Sequence, residues 1–401
     1  MNPRWRRDLY ILWVCNFVLQ AGFSLIMPFL PLYLEELGVH GSAVDVWSGV
    51  IFSANFIMMA IFSPIWGGLS DRIGRKPMML RSAFGMGAVV WLMGIAHSPW
   101  QLLVIRLLQG FTSGFVPATT AYMASAAPRE NSGYALGLMT TGSVAGTVLG
   151  PLIGGVLANA IGYRPIFFLT SATSLLTGAV VLFLIREQFT PVAKQKGDGV
   201  LKDIGLLRVY PVTAMMAVVL FLNTFSVLTA EPILSLYLQT LSAPVAWISF
   251  LSGLTFSITG VANLVVAPLV GRLSDKMGSR QLIMICLGGA AVMYVAQGFA
   301  TATWQMVAMR FILGMFSGGL MPAANGLIAR STPKEVQGRI FGLTNSMLFI
   351  GNTLGPLVGG AIAAYFGLRS VFPVTGILLL VDLLWVRASV RDPEPLANTA
   401  D

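Results

Sequence analysis

Long apolar segments constrain the fold of this 401-residue chain more than any other feature. A helix needs about 20 apolar residues to cross a bilayer. Runs of about that length occupy residues 9–34, 46–69, 78–97, 100–123, 133–159, 165–185, 211–238, 246–271, 281–299, 304–328, 338–365 and 370–390. Only 10% of the residues are charged, whereas soluble domains carry about a quarter. The pattern predicts an all-α membrane protein with twelve transmembrane helices.

The charged residues indicate how these helices are oriented. The net charge is +9, and the basic residues cluster in alternate loops, while the opposite loops hold only Arg164 and Arg369. Because loops rich in Lys and Arg stay in the cytoplasm, we expect both termini to be cytoplasmic. This topology accounts for the positive charge, so we expect no nucleic-acid partner. The first run is too long for a signal peptide and is interpreted as a retained helix.

The two parts of the chain repeat each other at an offset of 204 residues, as when Arg106 recurs as Arg310. Register kept over such a distance predicts two pseudo-symmetric six-helix halves, residues 1–185 and 211–401, joined by a cytoplasmic linker at 186–210. Halves of the same topology are related by an axis along the membrane normal, and carriers built in this way hold substrate near the midplane of the bilayer.

The loop after the second predicted helix combines glycines, an acid and a basic cluster. Glycines allow tight turns and close helix contacts, and an acid at a helix end can pair with a base or cap a neighbouring helix. The residues are Gly67, Asp71, Arg72, Gly74, Arg75 and Lys76, and a weaker copy contains Gly271, Asp275 and Gly278.

This loop resembles the second-to-third loop signature of the major facilitator superfamily. The runs SLIMPFLPLYLEELGV and SPIWGGLSDRIGRKPMMLRSA are similar to those of its twelve-span drug:proton antiporters, which include bacterial multidrug efflux proteins. The resemblance implies a proton-driven exporter of small amphipathic or lipophilic compounds in the bacterial inner membrane, acting as a monomer by alternating access. It also implies that the loop is a latch favouring the outward-open state. The alternative is an ordinary positive-inside anchor.

The fifth predicted helix carries a row of small residues four positions apart, which is typical of close helix packing in membranes. The row resembles a signature that the family associates with export, although packing without directional meaning is the alternative. Its members are Gly142, Gly146, Gly150 and Gly154, and Pro151 lies beside them.

Three charged residues within the predicted helices are candidates for proton coupling, since a buried charge costs about 2.5–3.5 kcal/mol on insertion scales. Arg106 lies in a stretch that resembles the family's fourth-helix motif, which is tied to proton coupling. Glu231 and Arg310 lie at similar depths, so we expect them to share the cavity. Glu231 is hypothesised to change protonation as the cavity changes its exposure to water. The alternative is a permanent structural ion pair.

Two further acids bear on this hypothesis. The first predicted helix contains no acid before Glu35, so Arg106 is expected to lack an obvious acidic partner. Asp382, in the last predicted helix, is the other candidate for a buried acid, and we favour a structural or snorkelling role for it.

The resemblance also places helices 1, 4, 7 and 10 around a central cavity. Methionine and aromatic side chains can repack around varied apolar ligands, although each one can equally face lipid or another helix. The candidate lining residues are Asn16, Gln20, Phe23, Met27 and Phe225, with Phe17, Tyr33 and Tyr237 as further possibilities.

Other classes of function find little support in the sequence. There is no phosphate-binding loop, no nucleophile elbow and no metal-ligand cluster, and Cys15 and Cys286 lie far apart within predicted helices. We therefore expect no enzyme activity, cofactor or metal. Two alternatives to drug export stay open: a specific carrier of an anionic metabolite or antibiotic that uses Arg106 and Arg310, and a membrane receptor or assembly factor that does not transport.

Overall fold

The computed structural model describes residues 5–187, 189, 209–241 and 247–390. Almost all of the described chain is helical, because in hydrocarbon only a helix satisfies every backbone hydrogen bond within one segment. We number the spans 1 to 12 in chain order. Spans 1 to 6 are Trp5–Ile26 continued by Leu30–Glu36, Ser42–Ile73, Arg75–Gly94, Pro99–Thr112 continued by Phe115–Ala126, Ser132–Ile161 and Tyr163–Leu184.

The same order follows in the second part of the chain. Spans 7 to 12 are Pro211–Ala230 continued by Leu234–Thr240, Ile248–Met277, Ser279–Gln297, Thr303–Ser317 continued by Leu320–Arg330, Lys334–Phe366 and Leu368–Ser389. In the described part of the chain, eleven spans are long and apolar enough to cross a membrane. Span 3 is less apolar because its first two turns carry Arg75, Lys76 and Arg81.

Single glycines turn the chain between consecutive spans. Gly74, Gly162, Gly278 and Gly367 follow spans 2, 5, 8 and 11, and their φ angles are 104°, 80°, 86° and 86°. These left-handed conformations favour glycine, since a Cβ would be strained there. The two halves of the repeat therefore use the same tight turn at matching positions.

Spans 1, 4, 7 and 10 are each interrupted. A 3₁₀ turn at Met27–Phe29 divides span 1, and a 3₁₀ turn at Glu231–Ile233 divides span 7. Each turn has a proline as its second residue, which cannot donate the helical hydrogen bond. Span 4 is interrupted at Gly114, with φ of 115°, and span 10 at Gly318 and Gly319. Broken helices are typical of transporter binding sites.

The chain forms two compact units whose limits differ from those of the sequence repeat. The first unit contains Met1–Lys194 and Leu234–Ser257, and the second contains Gln195–Ile233 and Ile258–Asp401. The end of span 7 and the start of span 8 thus group with spans 1 to 6. Most of the predicted linker, 186–210, lies outside the described residues, so the predicted domain boundary stays a prediction.

In the first unit, span 1 packs along span 5, and span 3 packs along span 6. Their shared core consists of fully buried aliphatic and methionine side chains, including Leu9, Leu12, Met79 and Val181. Residues 234–257 join this unit through polar contacts as well. Ser235 Oγ donates to the carbonyl of Pro28, and the hydroxyls of Tyr163 and Ser249 lie 3.0 Å apart.

In the second unit, the same pairing recurs between spans 7 and 11 and between spans 9 and 12. Side chains at matching positions also repeat. Lys76 Nζ donates to the carbonyl of Leu182 at 2.7 Å in the first unit, and Arg280 Nη2 donates to the carbonyl of Arg387 at 2.7 Å in the second. A cation at a helix C-terminus satisfies free carbonyls and interacts favourably with the helix dipole.

Candidate functional site

A buried acid and a buried base meet in the second unit. Arg310 Nη1 lies 3.7 Å from Glu231 Oε1, with the Arg310 side chain 1% exposed and the Glu231 side chain 26% exposed. Glu231 is positioned by the 3₁₀ turn that interrupts span 7, and Arg310 by the first segment of span 10. The separation exceeds the 2.7–2.9 Å of a short charge-assisted hydrogen bond. The two side chains are therefore in contact but form no short hydrogen bond.

The surroundings of this pair form a cavity of about 240 Å³ with both apolar and polar side chains in its lining. Besides the two charged side chains, Asn223, Thr224, Asn263 and Tyr294 contribute to its lining. The guanidinium of Arg310 lies 5.6 Å from the ring centre of Tyr294, within the range of a cation–π interaction. Nε and Nη2 of Arg310 have no hydrogen-bond partner among the described residues. Glu231 is therefore the member of the pair that water or a polar ligand can reach, while the charge of Arg310 is buried behind it.

Arg106, the counterpart of Arg310 in the repeat, is completely buried in the first unit. Its Nη1 donates to Gln109 Oε1 at 2.6 Å, and its Nε donates to the carbonyl of Ile51 at 3.3 Å. Its Nη2 has no partner among the described residues. Arg106 forms no ion pair within the described part of the chain, so neutral acceptors solvate this charge.

The expectation that the first helix contains no acid before Glu35 is wrong. Span 1 begins at Trp5 and includes Asp8, which is 1% exposed. Asp8 Oδ2 accepts a hydrogen bond from the Tyr122 hydroxyl at 2.8 Å, and Asp8 Oδ1 lies 3.1 Å from Arg7 Nη2. The basic residues at the N-terminus obscured the start of the helix. The contacts with Tyr122 and Arg7 account for the buried carboxylate.

A second cavity, of about 190 Å³, lies in the first unit between spans 1, 2, 3 and 4. It adjoins the interruption of span 4 at Gly114, and most of its lining is apolar. Two predicted lining residues, Gln20 and Phe23, border it. The contributions from spans 2 and 3 were not predicted, because the resemblance places only helices 1, 4, 7 and 10 around the central cavity.

The other predicted lining residues have varied surroundings. Asn16 is fully buried and accepts a hydrogen bond from Thr119 at 2.9 Å, so it links spans 1 and 4. Met27 lies in the 3₁₀ turn of span 1, and Phe225 stacks on Phe221 with ring centres 5.7 Å apart. Of the remaining candidates, Phe17 stacks on Trp13, and Tyr33 and Tyr237 are completely buried.

The loop signature between spans 2 and 3 is organised around two acids. Asp71 Oδ1, near the end of span 2, pairs with Arg75 Nη2, at the start of span 3, at 2.7 Å across the Gly74 turn. The second acid, Glu187, follows span 6 and was not predicted. Its two carboxylate oxygens accept hydrogen bonds from the backbone N–H groups of Arg75 and Lys76 at 2.8 and 2.7 Å. An acid at this place caps the N-terminus of span 3.

The other signature residues differ in how far the structure describes them. Gly67 and Arg72 lie on the exposed end of span 2, and Gly74 makes the left-handed turn. In the weaker copy, Gly278 makes the matching turn, whereas the surroundings of Gly271 and of the Asp275 side chain lie outside the described part of the structure.

The glycine row on span 5 makes the contact with span 1. A Cβ atom added to Gly146, Gly150 or Gly154 would come within 2.6 Å of a span 1 carbonyl oxygen. Gly142 is similarly close, at 2.9 Å from the carbonyl of Trp13. The oxygens facing Gly146, Gly150 and Gly154 belong to Phe17, Ala21 and Leu25. Since such distances are shorter than real Cβ contacts, the two backbones approach more closely than any side chain allows.

Asp382 lies in span 12, is completely buried and has no hydrogen-bond partner for either carboxylate oxygen among the described residues. It does not border either of the two cavities. The described residues also hold no group of three or more His, Cys, Asp or Glu side chains arranged to bind a metal ion.

Twelve spans in repeated order, interrupted helices at four matching places and a buried acid–base pair define a membrane carrier. The Major Facilitator Superfamily model matches residues 12–296 and 216–401, so the chain belongs to this family of transporters.

Within the family, the chain is similar to proteins named Multidrug resistance protein MdtG. It is 42% identical to the protein from Enterobacter lignolyticus over 96% of this chain and 93% of that protein. It is 43% identical to the protein from Escherichia fergusonii, with 96% and 95% covered, and 42% identical to that from Salmonella typhimurium, with 96% of each covered.

Solved structures support the fold alone. A mutant of the nucleoside transporter NupG matches with a TM-score of 0.82 at 11% identity, covering 96% of this chain and all of the other. A bacterial homologue of the human lysosomal transporter Spinster, inward-facing and unoccupied, matches with a TM-score of 0.80 at 15% identity, covering 99% and 100%. The predicted all-α fold, the family and the multi-pass membrane location are confirmed.

Proposed function

We propose that this protein exports small amphipathic or lipophilic compounds, in exchange for protons, across the inner membrane of a bacterium. Relatives over 96% of its length carry the name multidrug resistance protein. Identity of 42–43% over such a length supports a shared class of substrate. The protein then acts as a carrier rather than an enzyme, and as a monomer.

The observation that carries the proton-coupled part of this proposal is the Glu231–Arg310 pair. Ionised Glu231 neutralises the buried guanidinium, and a proton that binds Glu231 removes this compensation. The pair borders a cavity, is 3.7 Å apart, and sits at an interruption of span 7. Glu231 therefore exchanges its proton when water reaches the cavity, and the energy of the pair changes with each exchange. Arg106 occupies the position in the first unit that matches Arg310 in the second. We propose that it stabilises the first unit and contributes to coupling from that position.

Two other elements complete the proposed cycle. The loop signature of Gly67, Asp71, Arg72, Gly74, Arg75 and Lys76, with its weaker copy, serves as the latch that favours the outward-open state. The glycine row of span 5, with Pro151 beside it, is the exporter signature, and its glycines keep spans 1 and 5 in contact while the carrier alternates. The contact between Asp71 and Arg75 and the closeness of the two backbones support these roles.

The decisive experiment follows a fluorescent cationic dye and internal pH together in proteoliposomes under an imposed pH gradient. We expect the dye and the protons to move in opposite directions in the unmodified protein. Glu231→Gln keeps the size of the side chain but cannot ionise, so we expect dye movement to become independent of the gradient. Glu130→Gln, at an exposed position in the turn before span 5, is the matched control and should transport normally.

Gradient-driven exchange that survives in Glu231→Gln would remove Glu231 from the coupling mechanism and leave the ion pair with a structural role. Absence of dye movement in folded protein would contradict export of cationic drugs altogether.

A specific carrier of an anionic metabolite or antibiotic is the second candidate, because Arg106 is buried without an ion pair and its Nη2 has no partner among the described residues. An anion would compensate this charge. Saturable transport of a single anion that is lost in Arg106→Lys would favour this function, since lysine lacks the planar fork of donors that binds carboxylates and phosphates.

A further inference from the structure

The two cavities occupy matching places in the repeat. At the offset of 204 residues, Gln20 corresponds to Thr224, Phe23 to Val227, Met59 to Asn263, and Met86 to Ala290. All eight of these residues line one cavity or the other. Each cavity also reaches the interruption of its own broken helix, span 4 in the first unit and span 10 in the second. The two cavities therefore lie at equivalent positions of the repeat, and their linings can be compared residue by residue.

The difference between them is one of polarity. The first cavity carries large apolar side chains at positions where the second carries small or polar ones, as with Met59 against Asn263 and Met86 against Ala290. The second cavity contains the Glu231–Arg310 pair, whereas none of the residues that line the first cavity is charged.

The polar groups in the first cavity are mostly occupied by the protein itself. Ser113 Oγ donates to the carbonyl of Gly110 at 2.7 Å, and Thr112 Oγ1 donates to the carbonyl of Gln109 at 3.1 Å. Ser82 Oγ accepts from Arg81 Nη2 at 3.0 Å. Of the polar side chains that line the cavity, Gln20 alone makes no hydrogen bond to another described residue. A group bound in this cavity would therefore contact mostly apolar side chains and the side-chain amide of Gln20.

We propose that this cavity between spans 1, 2, 3 and 4 is a binding subsite for an uncharged aromatic or aliphatic group of the exported compound. An apolar cavity of about 150 Å³ is known to hold benzene, so about 190 Å³ accommodates one aromatic ring with small substituents. Methionine side chains at two positions adapt to rings of different shape. Gln20 bonds a single polar substituent at the edge of the ring.

This inference rests on the proposed export function, and it assigns a different role to each of the two units. The first unit selects the apolar part of the compound, while the titratable pair belongs to the second unit. The subsite then has broad selectivity, because binding depends mainly on the apolar volume of the bound group and on few hydrogen bonds.

Equilibrium binding of ethidium, a flat aromatic cation with a phenyl substituent, tests the subsite in purified protein without any pH gradient. Fluorescence titration gives the dissociation constant. Met59→Asn introduces the residue of the second cavity, and we expect affinity to fall about tenfold or more, the effect of losing burial of one apolar side-chain equivalent. Met59→Leu is the matched control and should stay within a few-fold, because it conserves apolar volume.

Phe23→Val, which introduces the other counterpart from the second unit, gives an independent reading should Met59→Asn fail to fold, and we again expect weaker binding. Ethidium affinity that is unchanged in the folded Met59→Asn and Phe23→Val variants would overturn the subsite and leave the export proposal standing. Absence of ethidium binding by the folded unmodified protein would overturn the export of aromatic cations, and the subsite with it.

Discussion

Arg106 and Arg310 occupy matching positions in the repeat, yet the protein compensates their charges in different ways. Arg310 has an acid, Glu231, and Arg106 has only Gln109 and a backbone carbonyl. Sequence reasoning brought Glu231 and Arg310 together, because residues at equal depth on neighbouring helices can meet. It missed Gln109, although a residue three positions along a helix lies on the same face as Arg106.

The bond between Arg106 and Gln109 leads to a prediction about stability. Gln109→Leu introduces the residue found at the counterpart position, Leu313, and removes the 2.6 Å acceptor of a fully buried guanidinium. Hydrogen bonds to charged groups contribute about 1.5–3 kcal/mol, so we expect the free energy of unfolding to fall by roughly that amount. Unfolding in detergent measures this change, and an unaltered transition would show that another group solvates Arg106. Thr140→Ala, at an exposed position on span 5, is the control.

The packing of helices against each other and the breaks within them were predicted less completely from the sequence than the contacts of single residues. Close packing at the glycine row was expected from the spacing of small residues, and the structure shows why each glycine is needed there. The interruptions of spans 4 and 10 were not expected, because the apolar runs continue through Gly114 and Gly318 without any change in composition. Hydropathy reports whether a segment prefers lipid, and it is insensitive to a local change of backbone direction.

The contact between spans 1 and 5 predicts a sharp contrast between two glycines of one helix. Gly150→Ala places a methyl carbon 2.6 Å from the Ala21 carbonyl oxygen, and overpacking of this kind costs about 1–3 kcal/mol. Gly137→Ala, also on span 5, meets no atom within 4 Å and should be neutral or slightly stabilising, since alanine favours helix by about 1 kcal/mol. Thermal unfolding of both purified variants checks this, and equal transitions would contradict the packing.

The contacts of Glu187 lead to a prediction about the start of span 3. Glu187→Ala removes both acceptors of the backbone N–H groups of Arg75 and Lys76, and the loss of a helix cap costs about 1 kcal/mol. We expect a correspondingly lower unfolding temperature. The exposed substitution Glu130→Ala should leave it unchanged. Equal stability of Glu187→Ala and the unmodified protein would mean that water caps span 3 equally well.

For the chain as a whole, the twelve spans and the repeat could be predicted from the sequence. Apolar length is dictated by the bilayer, and the offset of 204 residues follows from matching residues such as Arg106 and Arg310. The grouping of 234–257 with the first unit could not be predicted. It depends on contacts such as that between Ser235 and the Pro28 carbonyl, which join residues far apart in sequence and leave no local pattern.

The distribution of basic residues predicts that both termini are cytoplasmic. A green fluorescent protein fused after Asp401 should fluoresce in cells, because the reporter folds in the cytoplasm, while alkaline phosphatase at the same site should stay inactive. Fusions at Gly367, in the turn after span 11, are the control and should give the opposite pair of results. An active phosphatase at the C-terminus would invert the predicted topology.

The glycine contact between spans 1 and 5 also bears on how such a carrier evolves. The glycines touch main-chain oxygens of span 1, which every amino acid possesses, and Ser24 adds a hydrogen bond to the carbonyl of Gly146. Substitutions at Phe23, on the same helix, can then alter the cavity while these contacts between the two helices are preserved. A lineage can thus change the compounds that it tolerates by small mutational steps without first losing a foldable protein.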